Sequence, residues 1–516
     1  MEGISKKIYL ELQAPTEEDS RSYQNRILDA LKAQQISAIM TLSVFRKLYP
    51  LCDSASWKLT VSLAWNGNQW VISNLEAGDT TKAHYGLAVD LGSTTVVISL
   101  MDCHLGTCID TVSGFNGQIP FGTDILTRIF YSKDNPQALK QLRSATLQTL
   151  LEQIRLLEQK TGIPASSCIQ MVISGNTTMI HFLLGMDAFC VFSSPYAVRA
   201  DHPGFLSGYE LGLPVNGYVY CYPCKSNYLG GDIVSGIAAT GLHREEELCV
   251  FFDIGTNGEL VVGNREFLLC GAGAAVPARE GGVVRTGMRA EPGAVDEVRL
   301  TDGQFQNHVI GQTQARGICG SGIVDLIAQL FLNGWIDIRG KFVPEKSPLI
   351  RNTNGMAAVE YAPGLLFYQN DIDEFLKTKA AAYTMVEYML MEAGIPMENI
   401  AKFYVAGAFG KHVSKESAIT IGMYPDIDRN RIIHAGNASL EGAKKLLLCR
   451  SLLKDIHQIL EHMVYIQFGA VEEFLHIMVA AQAIPHTDLE RYPSVKAKLE
   501  SRFQDKSCIR PPGFIQ

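Results

Sequence analysis

Two stretches of the chain show the same order of hydrophobic and polar positions. In Tyr85–Asp102 an apolar run ends in Asp90, a short turn of Gly, Ser and Thr follows, and a second apolar run leaves the turn. Val250–Gly263 repeats this order, with Asp253 at the end of its first run. Two β-type runs around such a turn predict a hairpin. The pattern therefore predicts two similar hairpins, about one domain's length apart.

The polar groups of these turns are suited to phosphate and Mg²⁺. Backbone N–H groups and hydroxyls donate hydrogen bonds to anions, and glycine permits a close approach of the backbone. A carboxylate at the end of each first strand offers the oxygen ligands that a hard cation prefers. One such hairpin is weak evidence, whereas its repetition along the chain indicates a shared function.

Two later segments extend this pattern. The apolar run Phe403–Ala406 ends in the Gly-x-x-Gly segment Gly407–Gly410. Gly317–Gly322 opens an apolar helix, whose first N–H groups are a candidate contact for an anion or nucleotide. A further strand, Met171–Ile173, leads into Ser174–Thr178, which fits either a polar ligand site or a capped helix start.

The pattern also predicts the division of the chain into domains. Residues 1–83 read as a small α+β module, with a hairpin around Asn66 and Gly67. The two hairpins then define domains at 84–245 and 246–516. A long helix is predicted after Asn135 and Pro136, which are typical of an N-cap and a first helical position. The expected fold class is α/β.

Composition narrows the class of protein. The 516 residues are 47% hydrophobic and 19% charged, as in a soluble globular protein of several domains. The net charge of −8 argues against nucleic acid as a partner. The N-terminus has no apolar signal segment, and charged residues interrupt the apolar stretch His462–Ile484. We therefore expect a cytoplasmic protein with no membrane span and with reduced cysteines.

One cysteine motif is a candidate metal or redox site. Cys221 and Cys224 form a lone CxxC, whereas an iron–sulfur cluster needs four ligands and no second pair follows at a suitable spacing. A thioredoxin-like motif would open a helix after a strand, and Pro214–Lys225 reads as a loop. The His486-x-Asp488 pair, similarly, reads as a turn. The sequence therefore predicts no iron–sulfur cluster.

Taken together, these motifs resemble known families. Two Asp-Gly-Thr hairpins followed by a strand and Gly-x-x-Gly resemble the acetate and sugar kinase/Hsp70/actin superfamily. Over about Ile8–Val495 the chain more closely resembles the ATP-dependent reductive activators of corrinoid proteins. The stretches that carry this resemblance are Gly86–Thr95, Gly175–Met179, Gly230–Asp232, Asp253–Glu259, Gly287–Ala290, Gly317–Gly322, Gly407–Gly410, Gly436-Asn437 and Pro485–Asp488.

The resemblance implies a fold and an activity. The fold would be a linker module followed by two RNase H-like halves, assembled as a homodimer. The protein would use ATP to drive an electron into an inactive Co(II) corrinoid and so regenerate Co(I) for methyl transfer. Its partner would be a corrinoid protein or a corrinoid-dependent methyltransferase.

The resemblance also implies residue roles. Asp90 and Asp253 would organise Mg²⁺ and water around the γ-phosphate of ATP. Candidate nucleotide contacts are Gly92, Ser93, Thr94, Thr95, Gly255, Thr256, Asn257, Gly258, Gly320, Ser321, Gly322, Gly407, Ala408 and Gly410. Such activators usually carry an iron–sulfur domain, and this sequence has no run of closely spaced cysteines. We therefore expect electrons to come from a separate ferredoxin-like protein.

Two other classes of function fit the same motifs. A small-molecule kinase would need a carboxylate base for its substrate hydroxyl, and Glu259 is the candidate. A nucleotide-gated binding protein, similar to a chaperone, would use domain closure alone. Phosphate release, measured with and without candidate partner proteins, would separate the three classes.

Overall fold

The chain forms two compact units. The computed structural model describes residues 2–255, 258–273, 284–353, 355–410, 412–466 and 472–504. The first unit comprises residues 1–241 and 437–463, and the second comprises residues 242–436 and those from 464 onward. Within the described ranges, no helix combines the length and the apolar character that crossing a membrane requires.

A small α+β module begins the first unit, as predicted. Its elements are β1 (Ser5–Glu11), α1 (Tyr23–Ala33), β2 (Ala38–Met40), α2 (Leu42–Ser54), β3 (Lys58–Trp65) and β4 (Trp70–Ala77). The strands form one sheet in the order β1-β3-β4-β2. The predicted hairpin is confirmed: Gly67 has φ +102°, and the Asn66 side chain accepts hydrogen bonds from two N–H groups of the turn.

A six-stranded sheet forms the larger part of the first unit. Its elements are β5 (Tyr85–Leu91), β6 (Thr95–Asp102), β7 (Thr107–Phe115), α3 (Ile125–Ser132), α4 (Pro136–Thr161), β8 (Cys168–Gly175), α5 (Thr177–Leu184), β9 (Gly204–Ser207), α6 (Gly208–Leu211), β10 (Tyr218–Cys221) and α7 (Gly231–Thr240). The strand order is β7-β6-β5-β8-β10-β9. Strands β5, β6 and β7 run antiparallel in chain order, and β8 is parallel to both β5 and β10.

The second unit repeats this arrangement. It begins with β11 (Cys249–Ile254), β12 (Gly258–Gly263), β13 (Leu268–Gly273), β14 (Ala294–Thr301), β15 (Gln304–Val309), β16 (Gly317–Ile318), α8 (Gly320–Leu332), β17 (Ile350–Thr353), β18 (Met356–Ala362), β19 (Leu365–Tyr368), α9 (Gln369–Glu392), β20 (Lys402–Ala406), α10 (Gly407–Gly410), α11 (Lys415–Thr420) and β21 (Ile432–Gly436). Later in the described part of the chain come α12 (Ala438–Leu448), α13 (Leu452–His462), β22 (Met463–Tyr465), α14 (Glu472–Ala481) and α15 (Pro493–Gln504). The main sheet has the order β21-β20-β11-β12-β13-β22.

Five strands of the two main sheets share one topology, whereas the sixth strand differs: β9 lies beside β10, and β22 lies beside β13. In the second, β11, β12 and β13 are antiparallel in chain order, and β20 is parallel to both β11 and β21. Both predicted Asp-containing hairpins are confirmed, as β5–β6 and β11–β12. The equivalent central strands, β5 and β11, carry Asp90 and Asp253 near their carboxyl ends.

Helices begin where local chemistry predicts. The Asn135 side chain caps α4 by accepting a hydrogen bond from the Ala138 N–H, and Pro136 occupies the first position, where no N–H is needed. Gly162 ends the helix with φ 72°. Asn176 similarly caps α5. The segment after β8 is thus a capped helix start, one of the two alternatives that the sequence left open.

One late segment packs into the first unit. The domain predicted from the sequence spans residues 246–516. In the structure, α12 and α13 of this range pack with the first unit. Helix α12 contacts β5, β8 and α7. A Cβ at Gly442 would lie 2.3 Å from the Ser235 carbonyl oxygen, so only glycine allows this close contact between α12 and α7.

The prediction of a loop over Pro214–Lys225 is partly wrong. Residues Tyr218–Cys221 form β10 and pair with β8 in parallel. Four residues are too short a run for its alternation to be recognised from sequence, and the partner strand lies far away in the chain. Cys221 therefore ends a buried strand, and Cys224 follows in the connection to α7.

Candidate functional site

The candidate site of the first unit is built around Asp90. Asp90 is opposite Ser174 in the register of the parallel strands β5 and β8, so both side chains lie at the carboxyl ends of central strands. Ligands of α/β sheets commonly bind at this edge, where backbone and side-chain groups converge. The order of the strands therefore places the sequence-predicted carboxylate where a ligand is expected.

The beginning of α12 holds the carboxylate of Asp90. Ser439 Oγ donates to one oxygen, Oδ1, at 2.8 Å, and Asn437 Nδ2 donates to the other, Oδ2, at 2.8 Å. The same Asn437 side chain caps α12 by accepting a hydrogen bond from the Leu440 N–H. Both carboxylate oxygens are therefore bound, which fixes the orientation of the Asp90 side chain.

A chain of hydroxyls continues from this carboxylate. Ser439 Oγ lies 2.9 Å from Ser174 Oγ, which lies 2.6 Å from Ser235 Oγ. Each hydroxyl has one proton to donate. Ser439 donates to Asp90, while Ser174 Oγ and Ser235 Oγ also lie 3.0 Å from the Gly231 and Asp232 carbonyls, which can only accept. These hydroxyls therefore connect Asp90 to the first turn of α7.

A second carboxylate, Asp232, interacts electrostatically with Asp90. Asp232 is in the first turn of α7, and its Oδ1 accepts from the Ile233 N–H at 3.0 Å. Burial, together with the negative charge of Asp90, raises the pKa of Asp232 well above its ordinary value. Burial also raises the pKa of Asp90, opposed by the hydrogen bonds from Ser439 and Asn437. Two carboxylates that repel each other are suited to a divalent cation, which would relieve this repulsion.

The turn between β5 and β6 is held by buried groups. Asn116 Nδ2 donates to the Gly92 carbonyl at 2.9 Å, and Arg128 Nη1 donates to the Ser93 carbonyl at 2.7 Å. The Asn116 N–H donates to the Thr94 carbonyl at 2.8 Å. A Cβ at Gly92 would lie 2.5 Å from the Thr95 carbonyl oxygen, so the turn requires glycine there. The hydrogen bonds of this predicted turn thus come from outside the hairpin.

The second unit has an equivalent carboxylate. Asp253, near the end of β11, is opposite Glu259 on β12 and Ala406 on β20. Gly407 follows β20 with φ +87°, and a Cβ there would lie 2.7 Å from Asp253 Oδ1. The first glycine of the predicted Gly-x-x-Gly segment therefore leaves room for this carboxylate. Asp253 and Gly407, predicted separately, come together.

Other predicted nucleotide contacts have varied positions. Gly255 is exposed in the β11–β12 turn and Gly258 begins β12, while Thr256 and Asn257 lie outside the described residues. A Cβ at Gly410 would lie 2.5 Å from Val405 Cγ1, which shows tight packing of α10 on its own strand. Ala408 lies within α10, between these glycines.

Gly320–Gly322 begins α8, as predicted. A Cβ at Gly322 would lie 2.3 Å from the Val295 carbonyl oxygen, so this glycine allows α8 to approach β14. Ser321 is buried, and its hydroxyl lies 3.3 Å from Cys319 Sγ. Gly322 therefore has a packing role that the sequence pattern did not indicate.

The cysteines of the CxxC motif are buried thiols. Burial raises the pKa of Cys221 to about 12 and that of Cys224 to about 11. The thiol form therefore dominates at neutral pH, and a thiol is a poor metal ligand compared with a thiolate. Within the described part of the chain, no group of three or more His, Cys, Asp or Glu side chains is placed to hold a metal ion.

Several residues of the site were not among the predicted site residues. Asp232 and Asn437 fall in stretches that carried the family resemblance, yet no role was assigned to them. Ser439 and Arg128 gave no signal at all. The N-cap pattern of α12 could have drawn attention to Asn437, but its second hydrogen bond, to Asp90, joins residues far apart in the chain.

Comparison with known families defines the class of protein. Residues 247–496 match a family model described as the C-terminal domain of RACo, the ASKHA domain. Residues 85–245 match the RACo middle region, and residues 1–82 match the RACo linker region. The fold and its hairpins are thus those of the acetate and sugar kinase/Hsp70/actin class, preceded by a linker module.

Individual relatives narrow the class to one family. The corrinoid activation enzyme RamQ of Eubacterium limosum is 32% identical over 403 residues, covering 75% of this chain and 68% of that protein. The Co(II) methylated amine-specific corrinoid protein reductase of Methanosarcina barkeri is 23% identical over 412 residues, covering 73% and 72%. The solved structure of a reductive activator for corrinoid, iron–sulfur protein has a TM-score of 0.87 and 33% identity, covering 96% of this chain and 81% of that one. The chain belongs to this family of reductive activators of corrinoid proteins.

Proposed function

We propose that this protein couples ATP hydrolysis to the reductive activation of a corrinoid protein. One electron would convert inactive Co(II) to Co(I), and ATP and water would give ADP and phosphate. The observation that carries the proposal is the structural similarity to a reductive activator, which covers 96% of the residues of this chain. The two relatives named above are a corrinoid activation enzyme and a corrinoid protein reductase, and they support a corrinoid protein as the partner.

In this proposal the two hairpins bind the phosphates of ATP. Mg²⁺ would be held through water by Asp90 and Asp253, and when bound it would neutralise negative charge on the phosphates. Ser439 and Asn437 keep the Asp90 carboxylate in one orientation through their hydrogen bonds. Glycine at position 407 lets the backbone after β20 pass close to Asp253, because a Cβ there would lie 2.7 Å from Asp253 Oδ1. Catalysis by such a site consists of positioning and electrostatic stabilisation.

The electron would come from a separate donor, which we expect to resemble a ferredoxin. The described cysteines are free, mostly buried thiols, including Cys221 and Cys224. Reduced thiols also fit a cytoplasmic location, which is part of this proposal. A homodimer is proposed as well, and sedimentation of the purified protein would show the monomer mass if this is wrong.

Binding of Mg·ATP is the first prediction. Titration calorimetry should show one ATP or ADP per chain, with binding that weakens when EDTA removes Mg²⁺, since carboxylates and phosphates then repel each other. Glu266→Gln, on the exposed β12–β13 turn, is the control and should bind as the unaltered protein does. If no heat is detected at millimolar ATP or ADP, the nucleotide site does not exist.

The second prediction concerns the source of the electron. Activation of a purified corrinoid partner should need ATP and an added low-potential donor together, because neither the buried CxxC thiols nor ATP supplies an electron. Loss of the Co(II) signal in electron paramagnetic resonance measures the reaction, with each component omitted in turn. Activation without an added donor would contradict the proposal, particularly if iron and sulfide were present and were lost in Cys221→Ser.

A further inference from the structure

Two carbonyl groups of the turn between β5 and β6 point towards the same buried patch. The Gly92 carbonyl accepts from Asn116 Nδ2, and the Ser93 carbonyl accepts from Arg128 Nη1. Both nitrogens also approach one sulphur atom, Met179 Sδ, at 3.6 Å and 3.8 Å. The two donors are therefore neighbours on one side of the turn.

The direction of these carbonyls fixes the direction of the N–H groups that follow. In a trans peptide unit the C=O and the next N–H point in opposite directions. The Ser93 N–H and the Thr94 N–H must therefore point away from Asn116 and Arg128, towards the other side of the turn. Two adjacent N–H groups with a common direction form a binding site for an anion.

The surroundings of Arg128 favour a role beyond packing. Its side chain is fully buried, and Nε and Nη1 donate to the Gly122 carbonyl at 2.8 Å and to Gln118 Oε1 at 3.2 Å. Its remaining nitrogen, Nη2, has no hydrogen-bond partner among the described residues. A buried guanidinium with an unpaired donor costs stability compared with an apolar side chain of similar size. The presence of this guanidinium beneath the turn, despite its cost, indicates that it serves to hold the turn in one orientation.

We propose that Arg128 and Asn116 are positioning residues that aim the Ser93 and Thr94 N–H groups at the phosphate oxygens of the nucleotide. They act through the turn and do not touch the nucleotide themselves. This proposal rests on the proposed function, because it concerns the same phosphate site. It adds the residues that set the geometry of that site, and these lie on α3 and just after β7.

The proposal predicts a loss that depends on the phosphates of the ligand. Arg128→Met and Asn116→Ala should each weaken ATP binding by about tenfold or more, since each frees one peptide unit of the turn to rotate. Adenosine, which lacks phosphates, should bind as it does to the unaltered protein. Arg128→Lys, which keeps a donor for the Ser93 carbonyl, should recover much of the lost affinity.

Calorimetric titration of each full-length variant with ATP and with adenosine provides the test. The matched control is Arg143→Met, since Arg143 lies on α4 and makes one long hydrogen bond, at 3.5 Å, to the Leu211 carbonyl and not to the turn. Thermal unfolding monitored by circular dichroism identifies any variant that fails to fold. If Arg128→Met does not fold, the ATP and adenosine affinities of Asn116→Ala and Arg128→Lys test the positioning role.

The outcomes separate this proposal from the proposed function. If the unaltered protein binds neither ATP nor ADP, the proposed function fails. If it binds ATP and the folded variants bind ATP equally well, the positioning role is overturned. An equal loss of ATP and adenosine affinity, or a failure of every variant to fold, would make these residues structural and would also overturn it.

Discussion

Asp253→Ala is expected to slow ATP hydrolysis by about 10²–10³-fold, the loss seen when one preorganised group is removed from a transition state. ATP affinity should change far less, because the backbone of both hairpins and the Gly407–Gly410 segment remain. The carboxylate is expected to act on metal and water near the γ-phosphate, and these interactions matter most as the bond to that phosphate breaks. Gly407 lies close to this carboxylate, because a Cβ there would be 2.7 Å from Asp253 Oδ1.

Phosphate release at saturating ATP and calorimetric affinity, measured on the same preparation, separate the two effects. Asp253→Asn keeps the shape of the side chain and removes its charge, so it should resemble the alanine variant if charge is what matters. Glu266→Ala, on an exposed turn of the same unit, is the matched control. Unchanged turnover in Asp253→Ala would remove Asp253 from the mechanism.

The sequence predicted a feature correctly where one short segment contained both the hydrophobic pattern of the element and the polar residues that end it or begin it. Asp90 and Asp253 end apolar runs before polar turns, and both runs are central strands of their sheets. Helix α4 was also recognisable, because Asn135, Pro136 and Gly162 are local signals of a helix start and a helix end. Such features need no knowledge of distant contacts, and the structure confirms them.

The sequence was less informative where the site depends on long-range packing. Ser439 contacts Asp90 only because α12 packs into the first unit, although the second hairpin lies between them in the chain. Asp232 is part of the site because burial, and then the negative charge of Asp90, raises its pKa, and both depend on how α7 packs. Arg128 is one of several arginines in the sequence, and only its burial beneath a turn distinguishes it. No local spacing encodes these contacts.

A buried lysine in the second unit was also not predicted. Lys379 lies on α9, and its ammonium nitrogen donates to the carbonyls of Ala481, Ala483 and Pro485, each at 2.6 Å. Its side chain is buried, and burial lowers its pKa to about 7. An ammonium group has three protons, and three carbonyls accept them. Lys379 thus satisfies the backbone that links α14 to the following turn.

Lys379→Met is therefore expected to destabilise the second unit by about 3–5 kcal/mol, because methionine matches the volume but leaves three buried carbonyls without a donor. Lys377→Met is the matched control on the same helix, where Lys377 is exposed and pairs with Glu374 at the surface, and it should leave stability nearly unchanged. Urea unfolding at pH 6, below the pKa of Lys379, measures the difference. Hydrogen exchange should show the loss of protection concentrated between residues 481 and 487, a stretch that includes His486, whose Nδ1 accepts from the Asp488 N–H. Equal urea midpoints for the two variants would show that the three carbonyls do not depend on the ammonium.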